Sequence, residues 1–351
     1  MITTDYEEVS SFQNLYEGYE KVRRKRRPTQ GQIRFERNLS HELIKLTEEL
    51  KNHTYIMSPG RRFLIREPKK RWIMILPFRD KIMQKLLCEN SFQPYLESHS
   101  IYDSAACQKG KGVSFACKRL TKHLRNYYKE HGNKGYILKG DIKDFYPSID
   151  TRIVKKQWLP QIQDKQMRHL IETIIDAHPK GLAMGNQLST IFAVYYLNPM
   201  DRYIKEKQRI KYYSRYVDDF VILSESKQEL RALQTQLERG LKGRHLELNK
   251  KKTMIVPMKQ GIDYVGWHFY LTDTGKVVRR LRKASKIRMK RKLKDMNWKL
   301  RKGMLSMDDH NKKYRGMMTY IKQGDTYHLS KRIRKEFSET FQKHKCSSTK
   351  T

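Results

Sequence analysis

The chain has 351 residues, enough for a sizeable core in one multi-lobed unit or in two to three packed subdomains. Only 38% of them are hydrophobic, and 75 Lys and Arg stand against 37 Asp and Glu, a formal net charge of +38. Self-repulsion of that size calls for a polyanion, so nucleic acid is the expected partner and a membrane surface the weaker alternative. No run is apolar enough to span a bilayer, and Met1 to Glu8 holds neither a basic leader nor an apolar core, so a cytoplasmic protein is expected. Cys88, Cys107, Cys117 and Cys346 lack the spacing of a zinc site or a disulfide framework and read as reduced thiols.

Residues up to about Tyr55 read as amphipathic helix, with Leu43, Leu46 and Leu50 at helical spacing behind the basic cluster Lys21-Val22-Arg23-Arg24-Lys25-Arg26-Arg27. Arg62 to Arg66 and Arg71 to Leu76 are strand-like runs around Glu67-Pro68-Lys69-Lys70, which predicts a hairpin with a cationic tip. A helix is expected from Asp80 towards Phe92, followed by a basic loop, Gln108-Lys109-Gly110-Lys111-Gly112, that lacks the ending of a Walker A loop. Gly135 to Asp141 reads as a strand ending in an acid, with helix after Ser148 and again from Gln187 to Ile204.

Two β-favouring runs, Lys211 to Arg215 and Phe220 to Leu223, flank Tyr216-Val217-Asp218-Asp219, which reads as a tight hairpin tip carrying two carboxylates. A helix around Leu230 to Leu241, a strand near Met254 to Val256 and another from Tyr264 to Phe269 follow. Beyond Gly275 the chain becomes a basic helical lobe, with Met289, Leu293, Met296 and Leu300 at helical spacing and a frayed end from about His344. Strands and helices interleave without a regular βαβ repeat, so an α+β layered sheet is expected.

Asp141 and Asp218 lie far apart in sequence but face each other if their strands are neighbours in one sheet. Paired carboxylates on a rigid sheet suit a pair of divalent ions acting on phosphates. Asp is also common in ordinary turns, so the tip alone does not decide.

Six blocks in order carry a family resemblance. They are Phe78-Arg79-Asp80; Asp141-Ile142-Lys143-Asp144-Phe145-Tyr146-Pro147-Ser148-Ile149-Asp150; Gly181-Leu182-Ala183-Met184-Gly185-Asn186-Gln187-Leu188-Ser189; Arg215-Tyr216-Val217-Asp218-Asp219-Phe220; Leu248-Asn249-Lys250-Lys251-Lys252-Thr253; and Tyr264-Val265-Gly266-Trp267. Together they resemble a bacterial reverse transcriptase. The resemblance implies a right-hand polymerase: an N-terminal helical extension at 1–60, fingers and an antiparallel-sheet palm at 61–270, and a basic helical thumb at 271–351.

It implies RNA-directed DNA synthesis with two magnesium ions, on an RNA template and an RNA/DNA hybrid, from deoxynucleoside triphosphates. Asp141, Asp218 and Asp219, with Ile142 beside them, are the implied metal positions. Tyr146 falls at the gate against a ribose 2′-hydroxyl, Arg71 and Arg79 at positions that meet the incoming triphosphate, and Lys252 at the lysine that protonates pyrophosphate. A solvated arginine is the alternative for Arg71 and Arg79, and Lys250 and Lys251 leave the single-lysine assignment open. The Tyr264 strand matches a primer-gripping hairpin, or is a half-buried strand with Trp267 in the core.

Many reverse transcriptases carry Gln before the glycine of the third block, where this chain has Met184 ahead of Gly185. An apolar residue there resembles the enzymes of diversity-generating retroelements, although their block ends Ser-Gln and this one ends Ser189-Thr190. Met184 is therefore expected to loosen nucleotide selection. The alternatives are a related enzyme of antiviral defence and a non-catalytic protein that keeps the fold to hold structured RNA. An accessory protein or a structured non-coding RNA stays open as a further partner.

Overall fold

Helices dominate the described residues from 6 to 51, and the first three are each started by a side chain that satisfies an orphan amide. Asp5 caps α1 (Tyr6–Ser10), Ser11 caps α2 (Phe12–Arg23) and Thr29 caps α3 (Gln30–Arg37). The helix α4 (Leu39–Lys51) buries Leu43, Leu46 and Leu50, as their spacing predicts. The computed structural model describes residues 1–24, 27–67, 69–177 and 180–348, and from 340 onward the backbone alone. Lys25 and Arg26 of the basic cluster and Pro68 of the first turn lie outside the described residues.

Two units make up the chain: one of Met1–Ala116, Lys139–Ile222 and Gln228–Met254, the other of Cys117–Leu138, Leu223–Lys227 and the residues from Ile255 onward. In the first, β1 (Arg61–Ile65) and β2 (Arg71–Ile75) pair antiparallel, with Ile65 opposite Arg71. The next helix, α5 (Phe78–Leu87), packs closely on α2, where a side chain at Gly18 would meet Leu86 at 2.7 Å. Helical structure does not stop at Phe92. A π turn over Cys88–Phe92 leads into α6 (Gln93–His99), whose Pro94 lies in the first turn, where its missing N–H costs nothing.

The helix α7 (Val113–His131) is not evident from the pattern of its sequence. Its buried residues Ala116, Cys117, Leu120, Leu124 and Tyr127 do fall at helical spacing, but Lys and Arg crowd the sequence between them. After it come β3 (Tyr136–Asp141), α8 (Phe145–Ser148), α9 (Thr151–Trp158), α10 (Lys165–Asp176), α11 (Gln187–Tyr196) and α12 (Asn198–Arg202). Trp158 centres an aromatic cluster in the core of the first unit, 5.2 Å from the Phe92 ring, 5.3 Å from Phe192 and 4.6 Å from Tyr195.

The acids sit on the next strands. An antiparallel hairpin joins β4 (Tyr213–Tyr216) to β5 (Asp219–Ser224), α13 (Lys227–Lys242) follows, and β6 (Met254–Pro257) completes a four-stranded sheet of order β4-β5-β3-β6. Since β5 lies beside β3 in the middle of the sheet, the acids at their ends come close together. Gly140 allows the close approach, for a side chain there would meet the Phe220 ring at 2.1 Å.

The Tyr264 to Phe269 segment is not one strand. It folds as the tip of a hairpin between β7 (Ile262–Tyr264) and β8 (Trp267–Leu271), with Val265 and Gly266 at positive φ, and β9 (Val277–Leu281) adds a third strand. Helix thus begins at Lys283, later than the composition shift suggests. Leu293, Met296 and Leu300 are buried along α14 (Lys283–Arg301), α15 (Met307–Ile321) follows a Ser306 cap, and α16 (Tyr327–Ser348) is helical past His344. Trp267 is buried among Tyr320, 5.1 Å away, and the Arg279 guanidinium, 5.0 Å over its ring.

The fold is α+β, as expected. Among the described residues no helix is long and apolar enough to cross a membrane, and Cys88, Cys107 and Cys117 are free thiols. The side chain of Cys346 lies outside those described.

Candidate active site

Asp141 ends β3 and is buried, and the chain returns beside it after more than a hundred residues. Residues 247–249 run antiparallel to 141–143: the Asn249 amide donates to the Asp141 carbonyl at 2.7 Å and the Lys143 amide to the Glu247 carbonyl at 2.9 Å. Those bonds bracket Ile142 and Leu248 as a pair that exchanges none, so the Ile142 carbonyl is not consumed on that side. A tight turn follows, closed by amides of Lys252 and Thr253 on the Asn249 carbonyl, with the Asn249 side chain accepting from the Lys251 amide at 3.2 Å. It aims Lys252 inwards, and its Nζ donates to both carboxylate oxygens of Asp141 at 2.7 Å. All three lysines are exposed, and the bond to Asp141 is what separates Lys252 from Lys250 and Lys251.

Tyr216 pairs with Asp219, leaving Val217 and Asp218 as a two-residue hairpin loop. Val217 has φ +58°, a region that costs a β-branched residue about 1–3 kcal/mol, so the surrounding structure must hold the tip. It does so through Arg215, a residue to which the sequence reading gave no role. The buried guanidinium donates from Nη1 to the Val217 carbonyl at 2.7 Å and from Nη2 to the Val194 carbonyl at 3.1 Å, and Nε and Nη2 bond the buried Asp201 carboxylate. Tyr213 donates to the same carboxylate at 2.6 Å. Burial alone would lower the Arg215 pKa, but Asp201 holds it above its ordinary value.

Burial and the neighbouring Asp141 carboxylate push Asp218 above the usual carboxylate range, against a backbone hydrogen bond and the positive charges of Lys252 and Arg71. Asp219 lies 3.5 Å from the Lys139 ammonium. Tyr146 is half-buried, hydrogen-bonded to Thr190, with its hydroxyl pushed up to about 12 chiefly by burial and with Asp218 among the charges acting on it. Gly181, at φ +64°, lies against the Tyr146 turn: a side chain there would meet the Tyr146 carbonyl oxygen at 2.5 Å, and the Leu182 amide donates to that oxygen. Gly185, at φ +108°, approaches β2 in the same way, and the Met184 carbonyl accepts from the Met74 amide at 2.8 Å. The third block thus bridges the Tyr146 turn and the strand that begins with Arg71.

Arg79 is engaged elsewhere. Nη1 donates to Glu49 Oε1 at 3.1 Å, Nη2 bonds Oε2, and the guanidinium lies 5.4 Å over the Tyr55 ring. Its neighbour Asp80 is buried and accepts from the Tyr55 hydroxyl at 2.8 Å and the Ser58 amide at 3.1 Å. The structure brings Asp141, Lys252, Arg71 and Tyr146 each within electrostatic range of Asp218, and holds Arg79 in a pair of its own with Glu49. Only the Arg-Tyr-Val-Asp-Asp block itself hinted at Arg215; nothing local marks Asp201 as its partner.

Among the described residues no three His, Cys, Asp or Glu side chains converge as a ready-made metal cage. Magnesium takes one or two protein carboxylates and fills its shell with water and substrate phosphate. Asp141 and Asp218 offer hard oxygen donors whose mutual repulsion in a desolvated spot a dication relieves, so the donor set fits.

Residues 65–269 match the family described as reverse transcriptase (RNA-dependent DNA polymerase), and the chain belongs to that family. No curated protein matches it. Among solved structures it is similar to telomerase from Candida albicans in complex with a fragment of telomeric RNA, at 15% identity and TM-score 0.49 over 81% of this chain and 55% of that one. It is likewise similar to apo telomerase from Candida tropicalis truncated of its C-terminal domain, at 15% identity and TM-score 0.49 over 62% and 54% of the two chains. The chain therefore spans little more than half the length of these structures.

Proposed function

We propose that the protein is an RNA-directed DNA polymerase that extends a primer on an RNA template by two-metal nucleotidyl transfer from deoxynucleoside triphosphates. The observation that carries this reading is that β5 lies beside β3 in one sheet, which brings Asp218 close enough to the buried Asp141 for their charges to interact, next to Tyr146. Two magnesium ions held by Asp141 and Asp218, with Asp219 and the Ile142 carbonyl in support, would activate the primer 3′-hydroxyl and neutralise the triphosphate. Lys252, anchored on Asp141, stands ready to give a proton to departing pyrophosphate, and Arg71 adds positive charge where phosphates arrive. Tyr146, fixed by Thr190, presents a bulky ring against a ribose 2′-hydroxyl. In this reading residues 61–270 serve as fingers and palm and 271–351 as thumb.

Primer extension on an RNA template tests it, with Asp218→Ala as control. Magnesium-dependent DNA product that the variant fails to make is expected. Absence of product across templates would point instead to a protein that only binds structured RNA. Tyr146→Ala should raise ribonucleotide incorporation, and unchanged sugar selectivity would remove the gate assignment. The finer reading is a bacterial enzyme of the diversity-generating type, supported by Met184. Met184→Gln should then narrow misincorporation opposite template bases, and an unchanged error spectrum would defeat it.

A further inference from the structure

The second unit contains a cleft of about 740 Å³ that includes none of the residues assigned above. Along one wall, α7 presents Lys118, Lys122, Arg125 and Lys129, spaced four, three and four residues apart and therefore on one helix face. That row extends roughly 16 Å at 1.5 Å per residue. All four are exposed, while the opposite face of the helix is buried. Lys276 and Arg279 close the cleft, and Asp325 is the single acid in its lining.

These walls are built in advance. The Tyr128 hydroxyl donates to the Asp273 carbonyl at 2.8 Å and Asn133 to the Asp273 carboxylate at 2.7 Å, which ties the turn before Lys276 to α7. Gly275 belongs to the same clamp, since a side chain there would meet the Tyr128 ring at 2.2 Å. At the floor, the Asp325 amide donates to the Arg279 carbonyl at 2.7 Å and the Arg279 amide to the Asp325 carboxylate at 2.8 Å. Gly324 sits so close to Trp267 that a side chain would come within 2.3 Å of the indole. Asp325 is thus held by a main-chain amide, and its one negative charge offsets only a small part of the row.

We propose that this cleft is a docking groove for the phosphodiester backbone of a nucleic-acid stem, separate in its residues from the catalytic acids. Six cations on a fixed frame, against one carboxylate, are suited to a polyanion. No aromatic side chain is among the described residues that line it, so it offers no stacking platform for splayed bases. Recognition through charge and shape then favours a helical stem over a single strand. The groove rests on the reading that the protein handles nucleic acid, but not on its catalysing polymerisation.

The test is binding of the full chain to a labelled RNA hairpin, and to a DNA hairpin of the same sequence, as salt is varied. Lys122→Glu with Arg125→Glu is compared with Lys156→Glu with Lys165→Glu, an exposed pair on the first unit that changes net charge equally. Lys118→Ala with Lys122→Ala repeats the measurement without charge reversal, and a thermal melt verifies folding. The cleft pair should bind about 10- to 100-fold more weakly and lose about two units from the slope of log affinity against log salt, while the control pair changes less than about threefold. Equal losses in both pairs would show attraction by overall charge and overturn the groove, as would no loss in the cleft pair. Loss with the RNA hairpin alone identifies an RNA stem, and loss with both a generic backbone. Primer extension, measured separately, reports on the polymerase reading, so either can fail without the other.

Discussion

Arg215 and Asp201 form an ion pair with side chains 1% and 0% exposed, and the same guanidinium holds the Val217 carbonyl at 2.7 Å. The hairpin that carries Asp218 and Asp219 is therefore fastened to α12 through a charge pair away from solvent. Removing one member leaves the other buried and unpaired. Arg215→Met should cost about 3–5 kcal/mol in denaturant unfolding. Pairing it with Asp201→Leu should recover much of that stability, yet primer extension should stay low because Val217 is still released.

Lys252, though exposed like its neighbours Lys250 and Lys251, is bonded to Asp141. Lys252→Met should lower the extension rate by about 10²- to 10⁴-fold with a smaller change in KM, as expected for a lost general acid. Lys250→Met and Lys251→Met should each stay near the wild-type rate. Single-turnover kinetics distinguishes the three, and equal losses would undo the assignment to Lys252.

Gly185 has φ +108°, and a side chain there would meet the Met74 carbonyl oxygen at 2.5 Å. Gly185→Ala should destabilise the protein by about 1–3 kcal/mol and, by displacing β2 with Arg71, raise the KM for deoxynucleotide. Unfolding midpoints and steady-state extension measure the two effects.

The Arg152 guanidinium beside Asp150 holds its carboxyl well below the usual carboxylate range, helped by the Arg152 amide and by His245 at 2.8 Å. A carboxyl whose pKa is lower folded than unfolded stabilises the fold above its unfolded pKa of about 3.9, and that contribution is withdrawn as pH falls further. Asp150→Asn keeps an N-cap for α9 but loses the charge. Its deficit in unfolding midpoint should be present at pH 7 and shrink below about pH 4, and a deficit unchanged by pH would show that only the cap matters.

Much of the site could be read from the chain because each block is a local device: an acid at a strand end, two acids in a turn, glycines where backbones touch. Block order and spacing in the sequence place Asp141, Tyr146, Gly185 and Asp218 in one constellation. The helix α7 was missed because its buried positions are interrupted by cations, which made a helical stripe look like a charge run. The single strand drawn from Tyr264 to Phe269 hid a turn, since Val265 gives no sign in sequence that its φ is positive.

By itself, the sequence determined the polymerase family, the acids and the positive charge, because those depend on residue type and order. Only the tertiary structure decided that Lys252 rather than its neighbours meets Asp141, that Arg79 pairs with Glu49, that Asp201 holds Arg215, and that four cations of α7 line one groove. Each of those is a contact between segments distant in sequence or a choice among equivalent side chains. Such choices are made by packing and desolvation, which no single segment encodes.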